Sequence, residues 1–214
     1  LPCASSDAEA NTDSKLPIQS LSSKLQVGDL VFTRIPTRLF LKVADGSGGW
    51  TNHVGIVIDT SGPEPLIAES KVPRATTGPL SKFVARSENG RVAVRRLPRP
   101  LEAKEREAIV QAARKRLGTL YDLGFDLHSS KQFCSKFARE VLGEATGEYV
   151  GEPENLAQLL TRHPEIDQGF WKLWYLGRIP WQRETVTPVS QYESPRLETL
   201  FDGWVAGNDN HKPL

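Results

Sequence analysis

Methionine is absent from all 214 residues, and only two cysteines and four histidines occur. Without methionine, Leu1 is not an initiator; a removed signal peptide or trimming would each account for that. A proline before Cys3 is the wrong residue for a lipoprotein cleavage site. Two cysteines make no disulfide framework, since Cys3 sits in a polar tail with nothing to carry it to Cys134. His128 lies near Cys134, yet no second cysteine-rich or histidine-rich pair completes a ligand set. The expectation is therefore no metal and no cofactor. Long apolar runs are missing too, and no stretch approaches the ~20 residues a helix needs to span a bilayer. Nor is one charge in surplus: Lys+Arg 27 against Asp+Glu 26 leaves +1, with no broad footprint for nucleic acid. The basic run 91–99 reads as a solvated strand face.

What is present is the composition of a globular protein, 38% hydrophobic and 25% charged. Residues 1–24 are rich in Ser, Asp and Ala and read as a flexible leader, residues 25–205 as one domain, and residues 206–214 as a tail. Leu30-Val31-Phe32-Thr33 has strand composition after a Gly28 turn. Residues 36–44 suit a short helix ended by the glycine cluster 46–49. His53-Val54-Gly55-Ile56-Val57-Ile58 reads as a buried central strand, and Leu66-Ile67-Ala68-Glu69 returns beside it. Residues 80–84 suit another short helix, and residues 91–97 alternate as a strand with one buried face. Residues 101–117 form an amphipathic helix burying Leu101, Ala108, Ile109, Ala112, Ala113 and Leu117. Three of the five tryptophans fall within residues 171–181, mostly as core or cover, with a minority available to line an apolar cleft. His128, His163 and His211 fall in turns or tail and read as surface residues.

A turn-rich approach through Tyr121 leads to Phe133-Cys134, where Phe133, Phe137 and Val141 recur at helical spacing. Cys134 thus stands in the first turn of a helix, where the backbone N–H groups and the dipole favour an anion, as a nucleophilic thiol requires. Taken alone it is equally compatible with a small buried hydrophobe. His53 and Glu69 each end an apolar strand, where an ionisable group is costly to bury without a partner, and adjacent strands would let them meet. Singly, a satisfied core histidine and a solvent-facing carboxylate account for them. Together with Cys134 they form a nucleophile, a base and a group that orients the base.

The ordered set Val27-Gly28-Asp29-Leu30-Val31-Phe32, Asn52-His53-Val54-Gly55, Ala68-Glu69-Ser70, Val94-Arg95-Arg96, Leu117-Gly118-Thr119-Leu120-Tyr121-Asp122, Phe133-Cys134-Ser135 and Glu184-Thr185-Val186-Thr187-Pro188 resembles the YiiX/YebB-like branch of the NlpC/P60 superfamily of permuted papain-fold cysteine hydrolases. The resemblance implies an α+β fold, a small antiparallel sheet or barrel packed on helices. Its histidine strand precedes the cysteine helix because the chain is circularly permuted relative to papain. It also implies Cys134 as nucleophile, His53 as base, Glu69 as the residue orienting His53, and Tyr121 as an oxyanion donor. Unpermuted relatives carry Asp where this chain has Phe133, so their peptidoglycan specificity is not carried over. The expected reaction is hydrolysis of an amide in a cell-wall peptide or an acylated, lipid-linked amine. The alternatives are a lipid-active acyltransferase or phospholipase of the same fold, or a non-catalytic binding module. Family and missing start suggest the periplasm, cell envelope or secretion; nothing in the residues addresses an inhibitor or immunity partner.

Overall fold

The computed structural model describes residues 15–206. The proposed leader as far as residue 14, the tail from residue 207, Cys3 and His211 lie outside the described residues. A seven-stranded sheet organises the rest, in the order β1-β9-β6-β2-β3-β4-β5. Its centre is β2 (Leu30–Thr33), flanked antiparallel by β3 (His53–Asp59) and β6 (Arg91–Arg96). Beyond β3 come β4 (Leu66–Glu69) and β5 (Thr76–Pro79), and beyond β6 come β9 (Glu198–Ala206) and β1 (Leu16–Pro17). Only β1 runs parallel to its neighbour. The helices are α1 (Ile18–Ser22), α2 (Arg38–Ser47), α3 (Leu80–Ala85), α4 (Ala103–Arg116), α5 (Cys134–Thr146), α6 (Leu156–Thr161), α7 (Gln168–Trp174) and α8 (Pro188–Tyr192). The short strands β7 (Glu154–Asn155) and β8 (Glu184–Thr185) pair with each other.

Strand alternation divides the core. Leu30, Phe32, Val54, Ile56 and Ala93 face α4 and α5, packing on Ile109, Phe137 and Val141. Val31, Val57, Ile67, Val92 and Val94 face the other way, against Leu80 and Phe83 of α3 and Ile18 and Leu21 of α1. A third cluster joins α6 and α7 to the segment before α5, through Phe125, Phe133, Leu160 and Trp171.

Four expectations are corrected. The fold begins before residue 25: β1 pairs with β9, and Ile18 and Leu21 are buried under the sheet. A few apolar residues in a polar stretch gave that segment too little pattern to be read as folded. β6 lies inside the sheet between β2 and β9, with Ala93 packed in the cluster under α4 and α5 and Val92 and Val94 in the cluster on the other side, so both faces are buried. Its arginines are half-buried and hydrogen-bonded: Arg95 donates to the carbonyls of Ser194 at 3.1 Å and Leu197 at 2.6 Å, while Arg96 pairs with Asp29 at 2.7 Å. Finally, α4 turns Arg116, not Leu117, inward, where it meets Glu140 and Glu144 of α5.

Candidate active site

Each of the four residues singled out from sequence sits at the end or margin of an element, and all four converge. His53 opens β3 and Cys134 opens α5. Asn52 joins them: its side chain accepts from Ile35 N–H at 2.7 Å and donates to the Ile35 carbonyl at 3.1 Å, pinning the peptide whose carbonyl lies 3.9 Å from Cys134 Sγ. Gly55 explains how His53 meets Glu69. In the β3–β4 register Ile56 faces Ala68, so His53, Gly55, Ile67 and Glu69 share one face and His53 lies diagonal to Glu69. A Cβ on Gly55 would come 2.5 Å from Ile67 Cγ2 and 2.9 Å from the Phe83 ring, so only glycine lets both lie against the strand. The Phe83 ring then packs on the imidazole, centroids 5.5 Å apart.

His53 Nε2 donates to Glu69 Oε2 at 2.5 Å, with both side chains buried. The carboxylate accepts only, so this bond fixes the tautomer. Arg86, which the sequence reading did not single out, completes the chain: its Nη2 donates to Glu69 Oε1 at 2.6 Å and Oε2 at 2.7 Å, and its guanidinium lies 5.3 Å from the Phe83 ring centroid. It follows α3 in a stretch without motif, so no signal marked it. Burial alone would push the His53 pKa down, but the Cys134 sulfur and the Glu69 carboxylate outweigh it and push it up to about 9. Burial would likewise raise Glu69, yet His53 and Arg86 bring it down to about 2.

His53 Nδ1 is buried, makes no hydrogen bond, and faces the Cys134 sulfur. The Tyr121 hydroxyl is in the same condition, buried and unbonded beside the Cys134 thiol and backbone N–H; burial and the neighbouring sulfur raise its pKa well above the ordinary phenol value. Two unmet polar atoms converging on one sulfur mark a place where a reacting group can complete the set. Tyr121 is held by its N–H to the Pro73 carbonyl at 2.9 Å, and the adjoining Asp122 N–H bonds the Gln132 carbonyl at 2.7 Å. Buried Lys136 ties down the approach to the cysteine through the carbonyls of Ser129 and Lys131.

Cys134, Tyr121 and Asn52 also line a pocket of about 500 Å³, counting its open mouth, with Phe40, Phe125, Leu160 and Trp171 among its walls. None of its lining residues is charged. Phe133, where unpermuted relatives carry Asp, is one wall of it. His128 and His163 are exposed, as expected, and His128 pairs with Glu184 at 2.5 Å. Among the described residues, no three His, Cys, Asp or Glu side chains converge as a metal set.

The chain is 28% identical to YiiX of Escherichia coli K12 over 181 residues, covering 84% of this chain and 87% of that protein. The crystal structure of a protein described as metalloprotein YiiX, from Escherichia coli O157:H7, superposes with a TM-score of 0.76 at 27% identity, covering 84% of this chain and 98% of that one. Among the described residues this chain offers no cluster of His, Cys, Asp and Glu to hold a metal. Residues 24–201 match the family model described as permuted papain-like amidase enzyme, YaeF/YiiX, C92 family. With its histidine strand ahead of its cysteine helix and its sheet packed against α4 and α5, the chain belongs to this family of permuted papain-like amidases.

Proposed function

We propose that Cys134, His53 and Glu69 form the catalytic machinery of a cysteine amidase that cleaves an apolar acyl group from an amine. The observation that carries this reading is the run from half-buried Arg86 through buried Glu69 and His53 to Cys134, which ends at an apolar pocket. The Cys134 thiolate attacks the amide carbonyl, and the Cys134 N–H and the Tyr121 hydroxyl donate to the developing oxyanion. The C–N bond breaks as the His53 imidazolium gives its proton to the leaving amine. His53, neutral again and held by Glu69, takes a proton from water as the water attacks the thioester; the C–S bond breaks, releasing the carboxylic acid and restoring the Cys134 thiolate beside the His53 imidazolium.

The pocket favours an acylated amine over a cell-wall peptide. Carboxylate and ammonium groups of such a peptide would be desolvated against walls that supply no opposite charge, whereas an acyl chain loses only contact with water. An acyl transfer or phospholipid hydrolysis by the same thioester would share the pocket and differ in the acceptor or leaving group. The test is hydrolysis of soluble amides of one amine with acyl chains of increasing length, beside a charged dipeptide. We expect kcat/KM to rise with chain length, by up to about fourfold per buried methylene, and to vanish in Cys134→Ala. Preference for the charged dipeptide, or indifference to chain length, would overturn the substrate assignment.

A further inference from the structure

Residues 168–183 hold three of the five tryptophans and three of the lysines and arginines, with no Asp or Glu. The structure splits this segment into an inner and an outer side. Trp171 and Tyr175 turn inward and line the pocket that holds Cys134. Leu173 and Leu176 turn outward and are 78% and 94% exposed. Leu176 also adopts the left-handed conformation, φ 53°, where glycine is the usual residue. It sits at the position that closes α7, its N–H on the Leu173 carbonyl at 3.0 Å and the Gly177 N–H on the Lys172 carbonyl at 2.7 Å. A leucine here carries backbone strain and buries almost nothing, so folding does not account for it.

The surroundings share one character. Trp174 Nε1 donates to the carbonyl of Leu123, another exposed leucine, so the two leucine-bearing segments form one face. Lys172, Arg178 and Trp181 line a shallow hollow beside them. The acids that flank the segment are engaged elsewhere, Asp167 with Lys42 at 2.9 Å and Glu184 with His128 at 2.5 Å. Exposed leucines, a tryptophan at the margin and the cations of Lys172 and Arg178, with Arg183 held by Asp126 at 3.8 Å, complement an anionic lipid surface.

We propose that this face docks onto an anionic lipid bilayer, with Leu173 and Leu176 entering the acyl boundary and Lys172 and Arg178 meeting lipid phosphates. Docking there sets the Trp171 and Tyr175 side of the pocket next to the lipid. The inference concerns the outer face and holds whether or not Cys134 turns over.

Flotation of the full chain carrying Cys134→Ala, with vesicles of phosphatidylcholine alone or mixed equally with phosphatidylglycerol, tests it. We expect partition onto the mixed vesicles, reduced at least about tenfold by Leu173→Ser with Leu176→Ser. Removing Lys172 or Arg178 with glutamine should weaken it about fivefold for each charge. With Cys134 retained, these surface substitutions should leave turnover of a water-soluble acyl amide unchanged, which also reports that the fold is intact. Failure of the parent chain to float, or undiminished flotation of the double leucine variant, would overturn the proposal. So would a dimer in sedimentation equilibrium that the double leucine variant abolishes, since a second copy would then cover the face. Flotation without any amide turnover would sink the amidase reading and leave this one standing.

Discussion

At the scale of single residues, the candidate site is a line of alternating charge in which each member sets the next. Arg86 reaches no substrate position; it acts through Glu69. Replacing it with methionine removes the cation that, with His53, keeps Glu69 near 2, so the acid limb of a kcat/KM profile should move to higher pH and activity should drop about tenfold. Arg86→Lys should restore part of both, while a merely structural arginine would change stability and leave the profile in place. On the alkaline side, the His53 imidazolium persists to about 9. Turnover should therefore fall as pH rises through that value. The pair also bears on folding, with opposite signs. The His53 contribution to stability is complete below its unfolded pKa of about 6.5 and is lost as pH rises through about 9; that of Glu69 is complete above about 4.5 and is lost as pH falls through about 2. Denaturant midpoints against pH, wild type beside Glu69→Gln, would show the acid loss only in the former. Tyr121→Phe removes one oxyanion donor and should lower kcat by about 10²–10³, measured on the soluble acyl amide. His53 and Glu69 stood out in the chain because a polar residue ending an apolar run is itself a signal, Cys134 because of its place in the first turn of a helix, and Tyr121 only through the family resemblance. Arg86 did not, because an arginine in a polar stretch looks the same whether it faces water or a carboxylate 17 positions away.

Among the elements, the decisive contact is between β3 and β4. Their register brings Glu69 diagonal to His53, and Gly55 lets Ile67 and Phe83 close over the strand between them. Gly55→Ala should force those two apart, destabilising the fold by about 1–3 kcal/mol and lowering kcat more than a surface change of equal ΔΔG. Urea unfolding with an unchanged m-value, alongside turnover, measures both; activity at the wild-type level despite the shifted midpoint would deny Gly55 its part in the site. The two strands and the helix carrying His53, Glu69 and Cys134 could be read from apolar periodicity, whereas Tyr121 lies in the loop between α4 and α5. β9 could not be read that way, since its side chains are mostly exposed or half-buried and carry no apolar alternation, and only its pairing with β6 makes it a strand.

Taking the molecule as a whole, the first described turn is part of the fold. Leu21, fully buried, packs with Ile18 under the sheet face that carries Val31, Val57 and Val92. Leu21→Ala should cost about 2–4 kcal/mol, lowering Tm by about 5–15 °C in a chain of this size, with turnover per folded molecule unchanged because the site lies at the other end of β3. A melting curve close to wild type would mean that the segment before residue 25 is dispensable.

By itself, the sequence marked the strands that end in His53 and Glu69 and the helix that opens on Cys134, and its resemblance to the family implied the α+β class and the permuted order. The first of these follows from local properties, namely hydrophobic period, turn residues and an ionisable group where burial is costly. The tertiary structure decided what depends on residues far apart in the chain: that β6 lies inside the sheet, that Arg86 backs Glu69, and that Trp171 faces the pocket while Leu173 and Leu176 face out. A run of aromatic and aliphatic side chains is the same string whichever way it turns. Only the packing of α7 against Phe125 and Leu160 assigns one side to the core and leaves the other for a partner.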